Sequence, residues 1–237
     1  MIRTALLVFL LLVALPADAE QGIDYREKLV KSHGFDKINH VEAIRFTYNY
    51  QWNETRVARS WVWEPNTNRV TLTGSLDGDK NVTFDLDEIT EQSPDALREL
   101  AERFRGDTEA AFLPLWIART EGVKIENGGY KLAPLGKIVA RELIVTMPGE
   151  QGNVYRLYVD ENGRINQWHV TYGEEGNPPV TAIWTTDEQV GPLLLCTRFR
   201  NPKTRQHLWL ADVAVKTKDV AHWQIAKTVD HRCRTCP

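Results

Sequence analysis

The chain has 237 residues, with 29 Lys and Arg residues against 32 Asp and Glu residues, and a formal net charge of -3 at pH 7. The two signs of charge are mixed along the chain with no basic stripe, which argues against a nucleic-acid-binding protein. Eight Trp residues are many for this length. Trp serves both cores and binding surfaces, because its large apolar ring carries a polar N–H group.

Residues 1–19 have the pattern of a cleaved signal peptide. One positive charge, Arg3, precedes an apolar run over residues 5–15, and this run is shorter than the roughly 20 residues that cross a bilayer. Small residues at positions 17 and 19 then match a cleavage site. We therefore expect export to the periplasm. The mature chain, residues 20–237, is expected to be soluble, to have no integral membrane segment and to fold as a single domain.

The first part of the mature chain predicts one helix and then four strands. Residues 20–33 have apolar positions at helical spacing, and Gly34 is placed to end this helix. Apolar and polar residues alternate over residues 44–50, which is typical of a half-buried strand. Strands so close in sequence are expected to pair as antiparallel hairpins. The further strands of this group are predicted at 57–63, 69–73 and 81–86.

A helical insertion is predicted at about residues 93–119. Ser93 and Pro94 suit the start of a helix, because Ser is a good N-cap and Pro a good first helical residue. Gly106 is expected to end the first helix and Asp107 to cap a second one, in which Pro114 is an internal disturbance. Seven strands are predicted to follow, at 123–126, 136–147, 154–160, 164–172, 180–185, 193–199 and 206–217.

These elements indicate a mainly β protein of the α+β kind. We expect a curled antiparallel sheet or an incomplete β-barrel with helices capping the open side, because so many consecutive antiparallel strands tend to curl into a barrel or a sandwich. The helical insertion has an apolar stripe that must be buried. The concave face of a curled sheet is a natural place for it.

Several segments carry a resemblance to a known family. They are the signal peptide, the helix before the first strand, the hairpin at residues 61–70, the mid-chain helices, and the segments 130–137 and 155–163. In this order of elements the chain resembles the LolA-like superfamily of periplasmic lipoprotein carriers. The resemblance implies an incomplete β-barrel with helices over its open side, and an apolar cavity that takes acyl chains. No ligand-binding residue of the family is assigned to a position here.

Large apolar side chains on the first strands and the insertion are the candidate ligand-binding residues. We predict that a cavity for a lipid or an acylated protein is lined by Phe46, Tyr48, Trp61, Trp63, Leu113 and Trp116. The alternative is that these side chains fill a core, as aromatic residues on strands commonly do. The protein would then be an interaction module that binds an envelope protein partner.

Three cysteines, Cys196, Cys233 and Cys236, are candidates for a disulfide. An oxidising periplasm permits a structural disulfide, either between Cys233 and Cys236 or from one of them to Cys196. The Cys-x-x-Cys spacing leaves two alternatives open: a redox-active pair in a thiol-based enzyme, and a zinc site with His231 and His222. We expect no cofactor, no metal and no catalytic residue, and therefore a binding or carrier protein that is not an enzyme.

Overall fold

The structure is a computed structural model that describes residues 24–78, 81–149, 152–173 and 178–228. The predicted signal peptide at residues 1–19 and the cysteines Cys233 and Cys236 lie outside these residues, so the predictions about them remain predictions. In the part of the chain that is described, no helix is both long and apolar enough to span a bilayer.

Helices are few and strands are many in the described residues. The helices are α1 (Tyr25–Ser32), α2 (Asp95–Glu109) and α3 (Leu113–Arg119), with a short 3-10 helix at Phe35–His40. The strands are β1 (Val41–Trp52), β2 (Thr55–Glu64), β3 (Arg69–Ser75), β4 (Val82–Asp85), β5 (Lys124–Leu132), β6 (Val139–Thr146), β7 (Val154–Val159), β8 (Ile165–Thr171), β9 (Val180–Val190), β10 (Leu193–Asn201), β11 (Gln206–Thr217), β12 (Val220–Ile225) and β13 (Lys227–Thr228).

The strands form one antiparallel sheet in the order β4-β3-β2-β1-β11-β10-β9-β8-β7-β6-β5, with β12 paired to β11 and β13 paired to β9. The long strand β1 joins the first four strands to the later ones, since it pairs with β11 from Val41 opposite Thr217 to Gln51 opposite His207. Strands β4 and β5 are the two ends of this path and do not pair with each other within the described ranges. The sheet is therefore open, and α2 and α3 lie in the chain segment that connects its two ends.

The alternating pattern of β1 produces one buried face. In the register with β2, Ile44 lies opposite Trp63 and Phe46 lies opposite Trp61. All four side chains are at most 1% exposed. Cross-strand neighbours of this size stabilise a sheet mainly by packing against each other and against whatever covers them.

Helices α2 and α3 cover this buried face. The ring centre of Phe104 on α2 lies 5.3 Å from that of Trp61 and 5.5 Å from that of Trp63. The ring centre of Phe112, just before α3, lies 5.5 Å from that of Phe46. The prediction of a mainly β protein with an open antiparallel sheet is confirmed. That the helices cap the open side remains a prediction.

The boundary between the two mid-chain helices differs from the prediction. Helix α2 continues through Gly106 to Glu109, so the expectation that Gly106 ends the helix and that Asp107 caps a second one was wrong. A glycine inside a helix costs only about 1 kcal/mol, which tertiary contacts can outweigh, and the Asp107 carboxylate is bound by residues of β2 instead. Pro114 lies in the first turn of α3, where its missing N–H breaks no helical hydrogen bond.

The end of α1 is fixed against two turns of the sheet. Gly34 has a positive φ of 73°, and a Cβ atom there would lie 2.1 Å from the carbonyl oxygen of Pro192, so only glycine fits without a backbone shift. The hydroxyl of Ser32 donates to the carbonyl oxygen of Gly163 at 2.9 Å. His33 is buried beside Trp184, with their ring centres 5.9 Å apart.

Candidate ligand-binding cleft

A cleft of about 700 Å³ lies between helices α2 and α3 on one side and the region of strands β6, β7 and β8 on the other. Small-molecule sites in proteins have volumes of about 300–1,000 Å³, so this cleft has the size of a ligand site. On the helical side it is lined chiefly by Glu102, Arg105, Glu109, Leu113 and Trp116. On the side of β7 and the segments next to β6 and β8 it is lined by Met147, Pro148, Gly152, Asn153, Tyr155 and Tyr172.

The helical wall follows from the spacing of residues along α2. Glu102, Arg105 and Glu109 are three and four positions apart, so they lie on one side of the helix. Ala101 and Phe104 lie on another side and are fully buried. The helix therefore presents its apolar side to the core and a charged side to the cleft.

Glu109, in the last turn of α2, contacts both tyrosines of the opposite wall. The Tyr155 hydroxyl donates to its Oε1 at 2.5 Å, and the Tyr172 hydroxyl donates to its Oε2 at 3.3 Å. The Tyr155 ring is stacked on Trp168 with ring centres 5.9 Å apart, which fixes the position of its hydroxyl. Asn153 donates its amide to the Tyr155 oxygen at 3.3 Å. One carboxylate thus connects α2 to β7 and to the end of β8.

The surroundings of Glu109 alter its titration and that of its partners. Burial raises the pKa of the Glu109 carboxyl, and the hydrogen bonds from Tyr155 and Tyr172 oppose this shift. Burial, and then the nearby charge of Glu109, raises the pKa of both tyrosines well above the ordinary value. Their hydroxyls therefore stay protonated and keep donating at neutral pH. Among the described residues, no Lys, Arg or His forms an ion pair with Glu109.

Asp107, on the same turn of α2, connects the helix to the first half of the sheet. Its Oδ2 accepts from Arg59 Nε at 2.7 Å and from Trp61 Nε1 at 2.8 Å, and its Oδ1 accepts from Arg59 Nη2 at 2.5 Å. The Asp107 side chain is 2% exposed. The end of α2 therefore contacts β2 through Asp107 and β7 through Glu109.

Two of the six predicted cavity-lining residues, Leu113 and Trp116, line this cleft. Both come from α3, whose N-terminus follows the end of α2 directly. The Trp116 ring is stacked on Trp63, with ring centres 5.4 Å apart and planes at 19°. The core aromatic residue Trp63 therefore supports the cleft residue Trp116 from behind.

The other four predicted residues lie off this cleft. Phe46, Trp61 and Trp63 are at most 1% exposed and pack against the rings of the helices. Tyr48 is half-buried, and the guanidinium carbon of Arg59 lies 5.4 Å from its ring centre. In this region the aromatic residues of β1 and β2 fill the space between the sheet and the helices.

Sequence reasoning missed Glu109, Tyr155 and Tyr172. The two tyrosines are 46 and 63 positions from Glu109 along the chain, so no local spacing brings them together. The available signal was weak. Glu109 continues the charged side of α2, and Tyr155 occupies an apolar position of β7, where a buried hydroxyl needs a partner.

Other candidate sites are less developed. Cys196 in β10 is buried, forms no disulfide with another described residue, and has its Sγ 3.2 Å from the Arg198 carbonyl oxygen. The predicted disulfide stays a prediction. Within the described part of the chain, no three His, Cys, Asp or Glu residues come together to hold a metal ion. A second groove, of about 340 Å³, lies beside α1 and includes Tyr25, Tyr130 and Arg141.

Comparison with known proteins finds similarity only at the level of distant structural neighbours. No family model matches the chain, and no curated protein matches it. A solved structure of a DUF1329 family protein from Desulfovibrio piger is similar with a TM-score of 0.43 and 9% sequence identity, over 80% of this chain and 90% of that one. A similarity at this level assigns the chain to no family, so the LolA-like resemblance remains a prediction.

Proposed function

We propose that this chain is a periplasmic binding protein, not an enzyme, that holds the acyl part of a lipid or of a lipid-modified polypeptide in the cleft between α2–α3 and β7. The observation that supports this function is the cleft of about 700 Å³ with Leu113 and Trp116 on one wall and Met147 and Tyr155 on the other. Both walls offer apolar surface to a ligand.

The energetic basis is the removal of hydrocarbon from water. Each buried methylene contributes about 0.8 kcal/mol, so ten methylenes contribute about 8 kcal/mol before the cost of ordering the ligand is subtracted. An acyl chain that crosses an aqueous compartment has to be shielded in this way. The signal-peptide pattern of residues 1–19 and the LolA-like order of elements support the same function, since both are typical of a periplasmic carrier.

Displacement of the neutral fluorescent probe N-phenyl-1-naphthylamine tests this proposal. We expect saturable binding of the probe by the full chain, competition by acyl ligands, and acyl-bearing molecules in a native mass spectrum of gently purified protein. Trp116→Ala should weaken binding about tenfold, since a buried apolar side chain contributes about 1.5–3 kcal/mol and a factor of ten corresponds to 1.4 kcal/mol.

The matched control is Trp52→Ala. Trp52 is at the end of β1, is 43% exposed and does not line the cleft, so its removal should leave probe binding unchanged. The carrier function is refuted if the wild-type chain shows no saturable site, or if the Trp116 and Trp52 variants bind the probe equally well.

One observation favours a second function, that of an interaction module. Tyr130 and Leu132 on β5 and Val139 on β6 are large apolar side chains that are 64–65% exposed, and β5 is an end strand of the sheet. End strands with exposed apolar residues are suited to pairing with another protein. If this surface is the functional one, Leu132→Lys abolishes binding of an envelope partner and leaves probe uptake intact.

A further inference from the structure

We infer that the cleft selects an apolar ligand with a cationic amine or quaternary ammonium head group, and that the Glu109 carboxylate is its counter-ion. This inference rests on the proposed binding function and specifies the ligand class for the same cleft.

The hydrogen bonding of Glu109 matches an ionised carboxylate. Both of its carboxylate oxygens accept a hydrogen bond, one from Tyr155 and one from Tyr172. Two donors on two oxygens match the ionised form, which is an acceptor at both positions, and hydrogen bonds to the charged form favour that form.

The hydrogen-bond partners of Glu109 carry no positive charge. Glu109 is half-buried, and a carboxylate that is partly removed from water without a cation is destabilised. The two tyrosine hydroxyls are neutral partners. Among the described residues, none supplies a cation to Glu109 by hydrogen bond or ion pair. Because the carboxylate lines the cleft, a ligand that enters the cleft can supply the cation.

Two other charged side chains of α2 also line the cleft. Glu102 and Arg105 lie on the same side of α2 and are exposed. Their charges are opposite, so Glu109 determines the sign of the net charge along the described lining. An anionic head group would meet an uncompensated negative charge, whereas a cationic one would neutralise it.

The cleft also has aromatic side chains in its lining. Trp116, Tyr155 and Tyr172 line the same cleft as the carboxylate. Aromatic rings attract cations through the negative charge density of their faces, and quaternary ammonium ligands are recognised by such rings. A carboxylate with three aromatic side chains nearby therefore fits an organic ammonium group.

Three amphiphiles with the same dodecyl chain test this inference: dodecyltrimethylammonium, dodecyl maltoside and dodecyl sulfate, each below its micelle concentration. Each is titrated against wild-type protein loaded with N-phenyl-1-naphthylamine. We expect the ammonium compound to displace the probe at a concentration at least about tenfold lower than the maltoside needs. The sulfate should need the highest concentration of the three. Glu109→Gln should abolish the preference for the cation, so that the ammonium compound and the maltoside displace the probe at similar concentrations. The matched control Glu99→Gln, on the same helix but outside the cleft lining and 67% exposed, should retain the preference.

The outcomes separate the two proposals. If none of the three compounds displaces the probe, or the probe itself does not bind, the carrier function fails. If all three compete equally in the wild-type chain, or if Glu109→Gln retains the preference, the carrier function stands and the cationic ligand is refuted. Should Glu109→Gln fail to fold, Tyr172→Lys gives the answer instead. It puts a cation of the chain next to Glu109 and must reduce the preference, and an unchanged preference refutes the inference.

Discussion

Arg59 and Asp107 form a buried ion pair that attaches α2 to β2. The Asp107 side chain is 2% exposed and that of Arg59 is 15% exposed, and the aspartate also accepts a hydrogen bond from Trp61. These three residues belong to segments that the sequence predicts separately, a strand and a helical insertion. Their contact fixes the helix in the position from which Glu109, on the same turn, lines the cleft.

Asp107→Asn should lower the free energy of unfolding by about 3–5 kcal/mol, because removing one partner of a buried pair leaves the other charge uncompensated. Urea unfolding at pH 7 measures this change. Asp95→Asn is the matched control, since Asp95 is on the same helix, pairs with Arg98 and has a side chain that is 85% exposed. The control should change stability by no more than about 1 kcal/mol. Equal losses in the two variants would contradict the assignment of the pair as a buried contact.

Phe104→Ala should destabilise the protein by about 3–5 kcal/mol, which is typical of removing a buried aromatic ring from a core. Phe104 is fully buried and contacts the rings of Trp61 and Trp63. Leu97→Ala on the same helix is the comparison, because Leu97 is only half-buried and should lose clearly less. Thermal and urea unfolding of both variants provide the measurement. A smaller loss of stability for Phe104→Ala than for Leu97→Ala would contradict this packing.

His33 should make the protein less stable as the pH falls, because its buried side chain resists protonation in the folded state. Burial lowers the pKa of His33 to about 4, whereas an unfolded histidine titrates near 6.5. The unfolded chain therefore binds a proton that the folded chain does not, so the contribution of His33 is fully present above about pH 6.5 and is lost as the pH falls toward 4. At about 1.4 kcal/mol per pH unit, this amounts to about 3 kcal/mol.

Comparison of unfolding free energies at pH 7 and pH 4.5 measures this contribution. His33→Asn removes the titrating group and should reduce the acid loss, and the exposed His40→Asn should behave like the wild-type chain. If the His33 variant loses as much stability on acidification as the His40 variant, another group is responsible for the pH dependence.

Glu142→Gln should destabilise the hairpin of β5 and β6. The Glu142 side chain is 2% exposed and forms ion pairs with Lys131 at 2.7 Å and Arg156 at 3.2 Å. Burial opposes its ionisation, but the hydrogen bonds from Lys131 and Arg156 outweigh it and lower its pKa. This stabilisation is present above the unfolded value near 4.3 and is lost as the pH falls through the lower folded pKa.

The expected loss of stability for Glu142→Gln is about 1–3 kcal/mol at pH 7. It is no larger because both cations are about half exposed to solvent. The loss shrinks toward pH 3, because the wild-type carboxylate is then protonated as well. Hydrogen exchange of the β5 amides reports the local effect. Glu126→Gln, at an exposed position of the same strand, should leave exchange unchanged. A difference between the two variants that persists undiminished at pH 3 would exclude the carboxylate charge as its cause.

The sequence predicted those parts of the fold whose signal is local. Alternation over residues 44–50 marks β1, and Ser93-Pro94 is followed by α2 from Asp95. The end of β5 was misjudged because Asn127-Gly128-Gly129 has the composition of a turn. In the sheet this segment is an irregularity in the pairing with β6, and Gly128 lies against Glu142, where a Cβ atom would be 2.4 Å from Oε2. Strands β12 and β13 were missed as well. Strand β12 pairs with β11 across a short turn, and β13 pairs with β9, which is far away along the chain.

The candidate site was predictable only in part. Leu113 and Trp116 were identified because apolar residues of a helical insertion had to face either a core or a cavity. The role of Phe46, Trp61 and Trp63 depended on how far the helices approach the sheet. The rings of Phe104 and Phe112 set the distance between the helices and the sheet. The residue pattern of the strands alone does not predict this distance.

The two attachments of α2 differ in kind, and this has a consequence for ligand entry. On β2, the guanidinium of Arg59 makes two hydrogen bonds to a nearly inaccessible carboxylate. On β7, neutral hydroxyls contact Glu109 at the wall of the cleft. Paired charges held at two points resist separation more than single neutral donors do. Any widening of the cleft should therefore break the tyrosine contacts of Glu109 before it breaks the Arg59–Asp107 pair, so that α2 keeps its attachment to β2.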